Sequence, residues 1–451
     1  MTDVMVTKAL AMSNDLRQRR TSGLTMTDYL VFLIPFLGFV QVNIIGVLNG
    51  TDICLICAFL YLAVRGRIRI KSPIVKKVLI LGLFWLASQI VTDLVRHSPF
   101  ADYARGWSNI FLTLINFVTL YVLLYGRLRR FLLYGWGLVP SMAITYLLHN
   151  FNSDDPPDPW KFGYAFPATL SVVLLASHRK CRENWRIALI AAMGLINILL
   201  GARALGGICL TAALYLVVAH FVRIRAETGA KLKTSLKVSL AISLALAGSG
   251  LFEVYQYAAS SGNLGEDARV KYEEQSSGKY GLLLGGRSEL FSTIPAIIDS
   301  PILGHGSWAK DPTYLIAGRE AMLLLSYKGA LDLSPEELKE GLIPTHSFLL
   351  GAWVYAGVLG AVFWGWVWLL IVKSLARIYP VTAGLLPLMA YFGFLLLWDI
   401  LFSPFGLDRR NQVPYFLLLI FTYYEMSLRS AVQAKADSIR RVLKPALSHG
   451  E

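Results

Sequence analysis

Two arginines and a histidine, Arg203, Arg287 and His346, could act together on a phosphate-bearing substrate. The planar guanidinium group of arginine can hold a pyrophosphate through paired hydrogen bonds. It can also stabilise the negative charge that a departing pyrophosphate gains. The neutral imidazole of histidine can accept a proton from an attacking hydroxyl near neutral pH. These residue types therefore suit group transfer from a pyrophosphate donor to a hydroxyl.

Long apolar segments must position these three residues. The chain of 451 residues is 55% hydrophobic and 16% charged, whereas a typical soluble protein is about a quarter charged. An apolar run of about 20 residues can cross a bilayer as a helix. We predict an all-α polytopic membrane protein with about twelve transmembrane helices. The spans are expected near residues 29–48, 51–64, 77–92, 106–125, 131–148, 162–177, 187–200, 204–221, 238–252, 347–372, 381–402 and 412–428.

The distribution of lysine and arginine orients these spans. With the N-terminus inside, the inner segments carry 29 of these residues, and the outer segments carry six besides those of one long loop. Positive residues collect on the cytoplasmic side of membrane proteins. Both termini are therefore expected in the cytoplasm, and the net charge of +14 follows from topology rather than from binding to nucleic acid.

This topology divides the chain into five parts. They are a cytoplasmic segment 1–28, spans one to nine within 29–252, an outer loop 253–346, spans ten to twelve within 347–428, and a cytoplasmic tail 429–451.

The long outer loop between spans nine and ten contains most of the distinctive sequence. Arg287 follows two glycines, and apolar residues recur at helical spacing over 290–298, which predicts an amphipathic helix along the membrane surface. Residues 301–306 (PILGHG) form a predicted turn. His346 then stands at the start of the tenth span, which makes it the best-positioned histidine on the outer side.

Other outer residues are secondary candidates. Asp399 near the end of span eleven, and Arg409 and Arg410 in the last outer turn, could line the same cleft or could anchor helices at the interface. His305, between two glycines, is expected to be a flexible turn residue. Arg203 should stand at the start of the eighth span, where a helix N-terminus favours an anion.

No metal site is expected. The outer loop 149–161 is acidic, but its prolines favour a stiff, solvated turn over a site for a cation. The four cysteines show neither zinc-binding spacing nor a disulfide framework.

The ordered set of motifs resembles the O-antigen ligase superfamily, which also contains O-antigen and exopolysaccharide polymerases. The matching residues are Gly286-Arg287, the turn 301–306, His346-Ser347, and the glycines Gly357 and Gly360. The twelve-span layout matches over most of the chain.

The resemblance implies a glycosyltransferase of the bacterial inner membrane that inverts the anomeric centre and needs no metal, cofactor or nucleotide sugar. Its donor would be a glycan on undecaprenyl pyrophosphate in the periplasmic leaflet, with Arg203 and Arg287 on the pyrophosphate and His346 as the general base. The acceptor would be lipid A–core for a ligase, or another lipid-linked glycan for a polymerase.

Two alternatives stay open. One branch of polymerases has two long outer loops, each with a glycine eleven residues after an arginine. Here Leu214 and Ile298 stand at that distance from Arg203 and Arg287, which favours a ligase or an exopolysaccharide-type polymerase. A lipid-linked oligosaccharide flippase is the alternative of another class. Transporters usually show inverted repeats and charged mid-membrane segments, and the sequence shows neither.

Overall fold

The chain is an all-α membrane protein. The computed structural model describes residues 24–44, 46–150, 158–178, 180–227, 253, 256–262, 265–328, 339–377 and 384–448. Within these ranges it has one short β-hairpin, formed by β1 (Gln41–Asn43) and β2 (Val47–Asn49), and is otherwise helical.

The helices are α1 Met26–Phe36, α2 Gly50–Val64, α3 Pro73–Arg96, α4 Phe100–Leu124, α5 Leu128–Asn150, α6 Ala165–Ala176, α7 Glu183–Leu199, α8 Arg203–Glu227, α9 Glu266–Ser276, α10 Gly281–Gly285, α11 Leu290–Asp299, α12 Pro312–Leu324, α13 Phe348–Ala356, α14 Val358–Leu375, α15 Leu386–Phe402 and α16 Arg409–Ser448.

Five of these helices, α3, α4, α5, α8 and α14, are long and apolar enough to cross a membrane. The helices α1, α2, α11 and α15 are apolar but shorter. The predicted ninth span, 238–252, and residues 1–23 of the N-terminal segment lie outside the described residues. The total of about twelve spans, which rests on apolar length, stays a prediction.

The first predicted span is not one continuous helix. Instead of running to residue 48, α1 ends at Phe36, and the chain passes through a 3-10 turn into the hairpin, in which Gln41 lies opposite Asn49. Asn49 begins the next helix because its side chain accepts a hydrogen bond from the Asp52 amide at 2.9 Å, and the Asp52 carboxylate accepts one from the Asn49 amide at 3.3 Å. This reciprocal cap fixes a new helix start.

The predicted tenth span is also broken. Gly357 separates α13 from α14 and has φ 67° and ψ −161°, a conformation that is essentially confined to glycine. A Cβ atom on Gly357 would lie 1.9 Å from the carbonyl oxygen of Ile302. The break therefore admits the backbone of the loop that precedes the span.

The core extends through the helix bundle, and α14, α15 and α16 contribute many of its buried side chains. Aromatic side chains fill it, and the largest that are fully buried include Trp364, Tyr391, Phe392, Tyr415 and Phe416. The rings of Phe392 and Phe416 stack with centroids 4.1 Å apart. These contacts hold α15 as a rigid central helix.

One end of the helix bundle, here called the site end, contains the starts of α13 and α14 and the last turn of α15. The start of α8 lies there too. Tyr215 of α8 donates a hydrogen bond to the Leu375 carbonyl at the opposite end of α14 (2.8 Å). Arg203 precedes Tyr215 by about 18 Å of helix, which carries it toward the site end.

Candidate functional site

His346 is held at the site end by the residue that follows it. Ser347 is buried and begins α13, since its hydroxyl accepts a hydrogen bond from the Leu350 amide at 3.0 Å. The same hydroxyl donates to the Ile400 carbonyl in the last turn of α15 at 2.8 Å. The His346 side chain is exposed, and within the described part of the chain it has no hydrogen-bond or ion-pair partner. Its imidazole is thus presented on a fixed backbone.

The glycine turn 301–306 locks onto the other end of α13. The amides of His305 and Gly306 donate to the carbonyls of Val354 and Tyr355 at 2.7 and 3.1 Å, and the Val358 amide donates to Ile302 at 3.2 Å. The first two bonds pair carbonyls at the end of α13, and the third pairs an amide at the start of α14, groups that helix ends leave without intrahelical partners. The two sequence motifs, the turn and the start of the tenth span, thus form one unit around α13.

A clamp from α3 holds this unit. The buried carboxylate of Asp93 accepts hydrogen bonds from the amide and hydroxyl of Ser307 at 2.6 and 2.7 Å, and from the Trp107 indole at 2.7 Å. Arg96 donates to the Gly304 carbonyl at 3.1 Å and to the Ser300 hydroxyl at 2.7 Å. Charged partners strengthen such bonds.

This clamp is not among the contacts predicted from the sequence. The available signal was a row of polar residues, Gln89, Thr92, Asp93 and Arg96, at helical spacing in the last turns of an otherwise apolar helix.

His305 is not the flexible turn residue that its two glycine neighbours predicted. Its Nε2 lies 2.6 Å from the Ala296 carbonyl oxygen, and its ring packs edge-on against Tyr314 with centroids 5.3 Å apart. The flanking glycines adopt positive φ so that the turn can close. His305 therefore fastens the turn to α11 and is not presented to a substrate.

One cavity opens at His346, and a second cavity adjoins the first. The first, the histidine cavity, has a volume of about 540 Å³, and its walls include Gln89, Ser307, Glu340, His346 and Tyr355. The second, the hairpin cavity, has about 620 Å³ and lies between the β-hairpin, α4 and the segment before α16. Cavities of this size suit small or elongated ligands.

Arg287 lies at the same helix end as His346 but does not line either cavity. Its guanidinium carbon lies 4.5 Å from the Phe402 ring centroid and 5.2 Å from that of Trp398, both in the last turns of α15. Burial lowers the pKa of Arg287 from its usual value, although Glu289 opposes this effect. The half-buried charge is therefore supported by aromatic faces.

The segments that carry Arg287 and His346 are joined directly. Arg287 precedes α11, and Thr293 of that helix donates a hydrogen bond to the Pro344 carbonyl at 2.6 Å. The chain from Pro344 runs straight into His346. The structure thus brings these two predicted residues to one end of α15.

Arg203 begins α8, as its sequence position predicted, and belongs to a separate group of cations. Burial lowers the pKa of Lys161 from its usual value, and the nearby charges of Lys271 and Arg203 lower it further, against the effect of Asp158. Such mutual repulsion indicates a surface that attracts anions. Arg203 does not line either cavity.

The acidic loop before α6 is only partly described. Asp158 caps a helical turn by accepting hydrogen bonds from the amides of Trp160 and Lys161 at 2.9 and 3.0 Å. Asp154 and Asp155 lie outside the described residues.

The three secondary candidates are engaged in ion pairs. Arg409 contacts both carboxylate oxygens of Asp399, at 3.0 and 3.3 Å. Arg410 is buried, donates two hydrogen bonds to Asp52, and donates a third to the Val47 carbonyl at 2.6 Å. The Arg410 pair fixes α16 to α2, so its charge is already compensated within the fold.

No model of a known protein family matches this sequence, and no curated protein is significantly similar to it. Its chemistry must therefore be argued from the site itself. The site combines an accessible imidazole on a rigid helix start, an arginine held by aromatic rings at the same helix end, and two open cavities.

Proposed function

We propose that this chain is a metal-independent inverting glycosyltransferase. It would transfer a glycan from undecaprenyl pyrophosphate to an acceptor hydroxyl, with ligation onto lipid A–core as the favoured reaction. One observation carries the proposal. The imidazole of His346, which has no partner among the described residues, lies at an open cavity. A hydrogen bond from Thr293 to the Pro344 carbonyl joins its segment to that of Arg287, which lies on aromatic rings.

In this mechanism, different residues bind the leaving pyrophosphate and accept the proton of the acceptor hydroxyl. Arg287, at the end of α15, and Arg203, in the separate cation group at the start of α8, are the residues assigned to the donor pyrophosphate. Arginine suits this role because its fork of donors matches phosphate oxygens and keeps its charge. The positive charge favours the leaving group most when the glycosidic bond is breaking.

His346 acts on the acceptor. Its neutral imidazole accepts the proton of the acceptor hydroxyl while the hydroxyl oxygen attacks the anomeric carbon. The bond between that carbon and the pyrophosphate oxygen breaks, and the electron pair leaves with undecaprenyl pyrophosphate. A single displacement of this kind inverts the anomeric centre and forms no covalent enzyme intermediate. General bases typically accelerate such steps by about 10²–10⁴-fold.

The proposed setting is the bacterial inner membrane with both termini in the cytoplasm and residues 253–346 in the periplasm. The site end would then face the periplasm at the level of the lipid headgroups. A lipid-linked donor could approach laterally, with its tail in the bilayer and its pyrophosphate near Arg287.

Ligation is favoured over polymerisation by the short connections at the site end. Only residues 97–99 join α3 to α4, and residues 200–202 join α7 to α8. Neither leaves room for a second long loop of the kind found in one branch of polymerases. An exopolysaccharide-type polymerase is the alternative within the same chemistry.

The direct test uses purified protein in detergent with lipid-linked glycan and lipid A–core, in the absence of any gradient. We expect glycan transfer with inverted configuration at the new linkage. A lipid-linked oligosaccharide flippase would give no transfer in this assay. A lipopolysaccharide gel of a deletion strain separates the remaining alternatives, because loss of a ligase leaves bare core, whereas loss of a polymerase leaves core with one repeat.

A further inference from the structure

The two cavities meet at a shared wall. Asn109, Trp308, Phe405 and Gly406 line both of them. The two cavities are therefore adjacent, with His346 in the wall of the first and the four shared residues where they meet. Two adjacent cavities can hold neighbouring units of one chain-like ligand.

Trp308 stands at this junction in an unusual backbone conformation. Its φ is 48°, a left-handed value that costs a bulky residue about 1–2 kcal/mol and calls for a compensating function. Its ring is parallel to that of Tyr355, with 3° between the planes and 6.4 Å between the centroids. The Tyr355 hydroxyl lies 3.2 Å from the Thr345 hydroxyl, next to His346.

Asn109 adds an unsatisfied polar atom at the same place. Its Nδ2 donates to the Phe405 carbonyl at 3.3 Å, while its Oδ1 has no partner among the described residues. An unpaired amide oxygen is unfavourable in a protein interior. A hydroxyl group from a ligand would satisfy it.

The charge of the junction limits what it can hold. The four shared residues are uncharged. Arg105 and Arg410 line the hairpin cavity beyond them, and Arg410 is already paired with Asp52. The junction itself therefore offers no charged side chain to a phosphate group. An acyl chain fits poorly, because it would leave the Oδ1 atom of Asn109 without a partner. An uncharged, hydroxyl-rich unit with a flat apolar face meets both conditions.

We propose that the junction of the two cavities is a saccharide-binding subsite, in which one sugar ring lies on the face of Trp308 and donates a hydroxyl to Asn109. The sugar belongs to the acceptor chain, next to the unit whose hydroxyl reacts at His346. Its assignment to the acceptor rests on the proposed function, whereas the binding of a sugar at Trp308 does not.

The test measures binding directly. The probe is fluorescently labelled, delipidated core oligosaccharide from the lipopolysaccharide of the source bacterium, titrated against full-length protein in detergent. Trp308→Gly should weaken its binding by about tenfold or more, as expected for a buried aromatic anchor. Trp308→Phe keeps an aromatic face and should bind within a few-fold of the parent.

The melting temperature shows whether a loss of affinity in Trp308→Gly comes from loss of the binding contact or from unfolding. Glycine accepts a left-handed φ without strain, which offsets part of the packing lost with the Trp308 ring. Trp308→Gly should therefore still unfold cooperatively, within several degrees of the parent, and its melting temperature is measured beside its affinity. Trp185→Ala is the matched control, because Trp185 is 62% exposed and lines neither cavity. It should leave the affinity unchanged.

The outcomes test two separate statements, that a sugar binds at Trp308 and that this sugar belongs to the acceptor. The subsite is overturned if Trp308→Gly binds both the core oligosaccharide and the oligosaccharide released from the donor with parent-like affinity, or if the parent binds neither. A Trp308-dependent loss for the oligosaccharide released from the donor, with core binding intact, overturns the acceptor assignment. Binding that depends on Trp308 in a protein that transfers no glycan refutes the proposed function and leaves the subsite standing.

Discussion

The guanidinium group of Arg287 lies 4.5 Å from the centre of the Phe402 ring. This contact places a half-buried cation against the last turn of α15, the same turn whose Ile400 carbonyl accepts the hydrogen bond of Ser347. One helix end therefore carries both the proposed donor-binding arginine and the backbone that presents His346.

Replacing Arg287 by lysine should impair transfer, because a point charge keeps neither the stacked contact nor the forked hydrogen bonds. We expect kcat/KM to fall by about tenfold or more in Arg287→Lys, and by about 10²–10³-fold in Arg287→Ala. Burial disfavours the charged form, and lysine has the lower intrinsic pKa. The lysine variant should therefore lose activity at a lower alkaline pH than the parent.

Arg65→Lys is the matched control for this substitution. Arg65 also lies over an aromatic ring, with its guanidinium carbon 5.7 Å from the Tyr61 ring centroid. It follows the last residue of α2, whereas Asp52, the partner of Arg410, lies in the first turn of that helix. Its replacement should leave kcat/KM unchanged. Full activity in both Arg203→Lys and Arg287→Lys would mean that these residues serve as generic cations.

Removing the imidazole of His346 should slow the chemical step without preventing donor binding, which rests on the arginines. We expect His346→Ala to reduce the single-turnover rate by about 10²–10⁴-fold at saturating donor and acceptor. His97→Ala is the control, since His97 is exposed near the site end and lines neither cavity. A rate within a few-fold of the parent, or a product with retained configuration by NMR, would rule out this mechanism.

A methyl group at Gly357 should disrupt the site. The added Cβ would meet the Ile302 carbonyl at 1.9 Å, and the backbone conformation alone costs an alanine roughly 1–3 kcal/mol. Gly357→Ala should therefore lower the melting temperature and abolish transfer. Gly207→Ala provides the contrast, because nothing lies within 4 Å of its Cβ position. That change should be neutral or stabilise α8 by up to about 1 kcal/mol.

The clamp at Asp93 should be sensitive to loss of charge. In Asp93→Asn, the amide NH₂ would face donors of Ser307 and Trp107 where a carboxylate oxygen now accepts. Leaving such buried donors unpaired costs roughly 1–3 kcal/mol. We expect a lower melting temperature and new protease cleavage within 300–310.

Asp102→Asn is the comparison for the clamp. Asp102 bonds the same loop through Lys310, whose side chain is 51% exposed, and such pairs contribute about 0–1 kcal/mol. Equal effects of the two substitutions would show that the number of buried hydrogen bonds at Asp93 is unimportant.

The proposed orientation can be tested by labelling. In a variant without the four native cysteines, Ser261→Cys should react with an impermeant thiol reagent in cells with a permeabilised outer envelope, and Ser438→Cys should not. This follows from 29 inner lysines and arginines against six outside the long loop. The reverse labelling pattern would place the candidate site in the cytoplasm and remove its lipid-linked donor.

The helical membrane class and several helix starts could be predicted from the sequence, because they depend on local properties. Apolar length alone identified α3, α4, α5, α8 and α14 as helices able to cross a bilayer. The start of α13 also depends on neighbouring residues, since Pro344 shortly precedes Ser347, whose side chain caps the helix.

The interruptions of helices could not be found in this way. Apolar length predicted one span over 29–48 and another over 347–372, yet the first ends in a hairpin and the second breaks at Gly357. Both departures depend on contacts with remote backbone. A Cβ atom on Gly50 would lie 2.3 Å from the Leu37 carbonyl oxygen, and Gly357 leaves room for Ile302.

Sequence by itself determined that the chain is an apolar helical membrane protein, and it singled out Arg203, Arg287 and His346 as residues able to do chemistry. Only the tertiary structure decided which of them meet and what surrounds them. Asp93 and Ser307 are 214 positions apart in the chain yet form one clamp, and Trp308 directly follows Ser307 in the chain. Hydropathy and helix caps act within a few residues, whereas a cavity forms from hydrogen bonds and packing between distant segments, which no local pattern records.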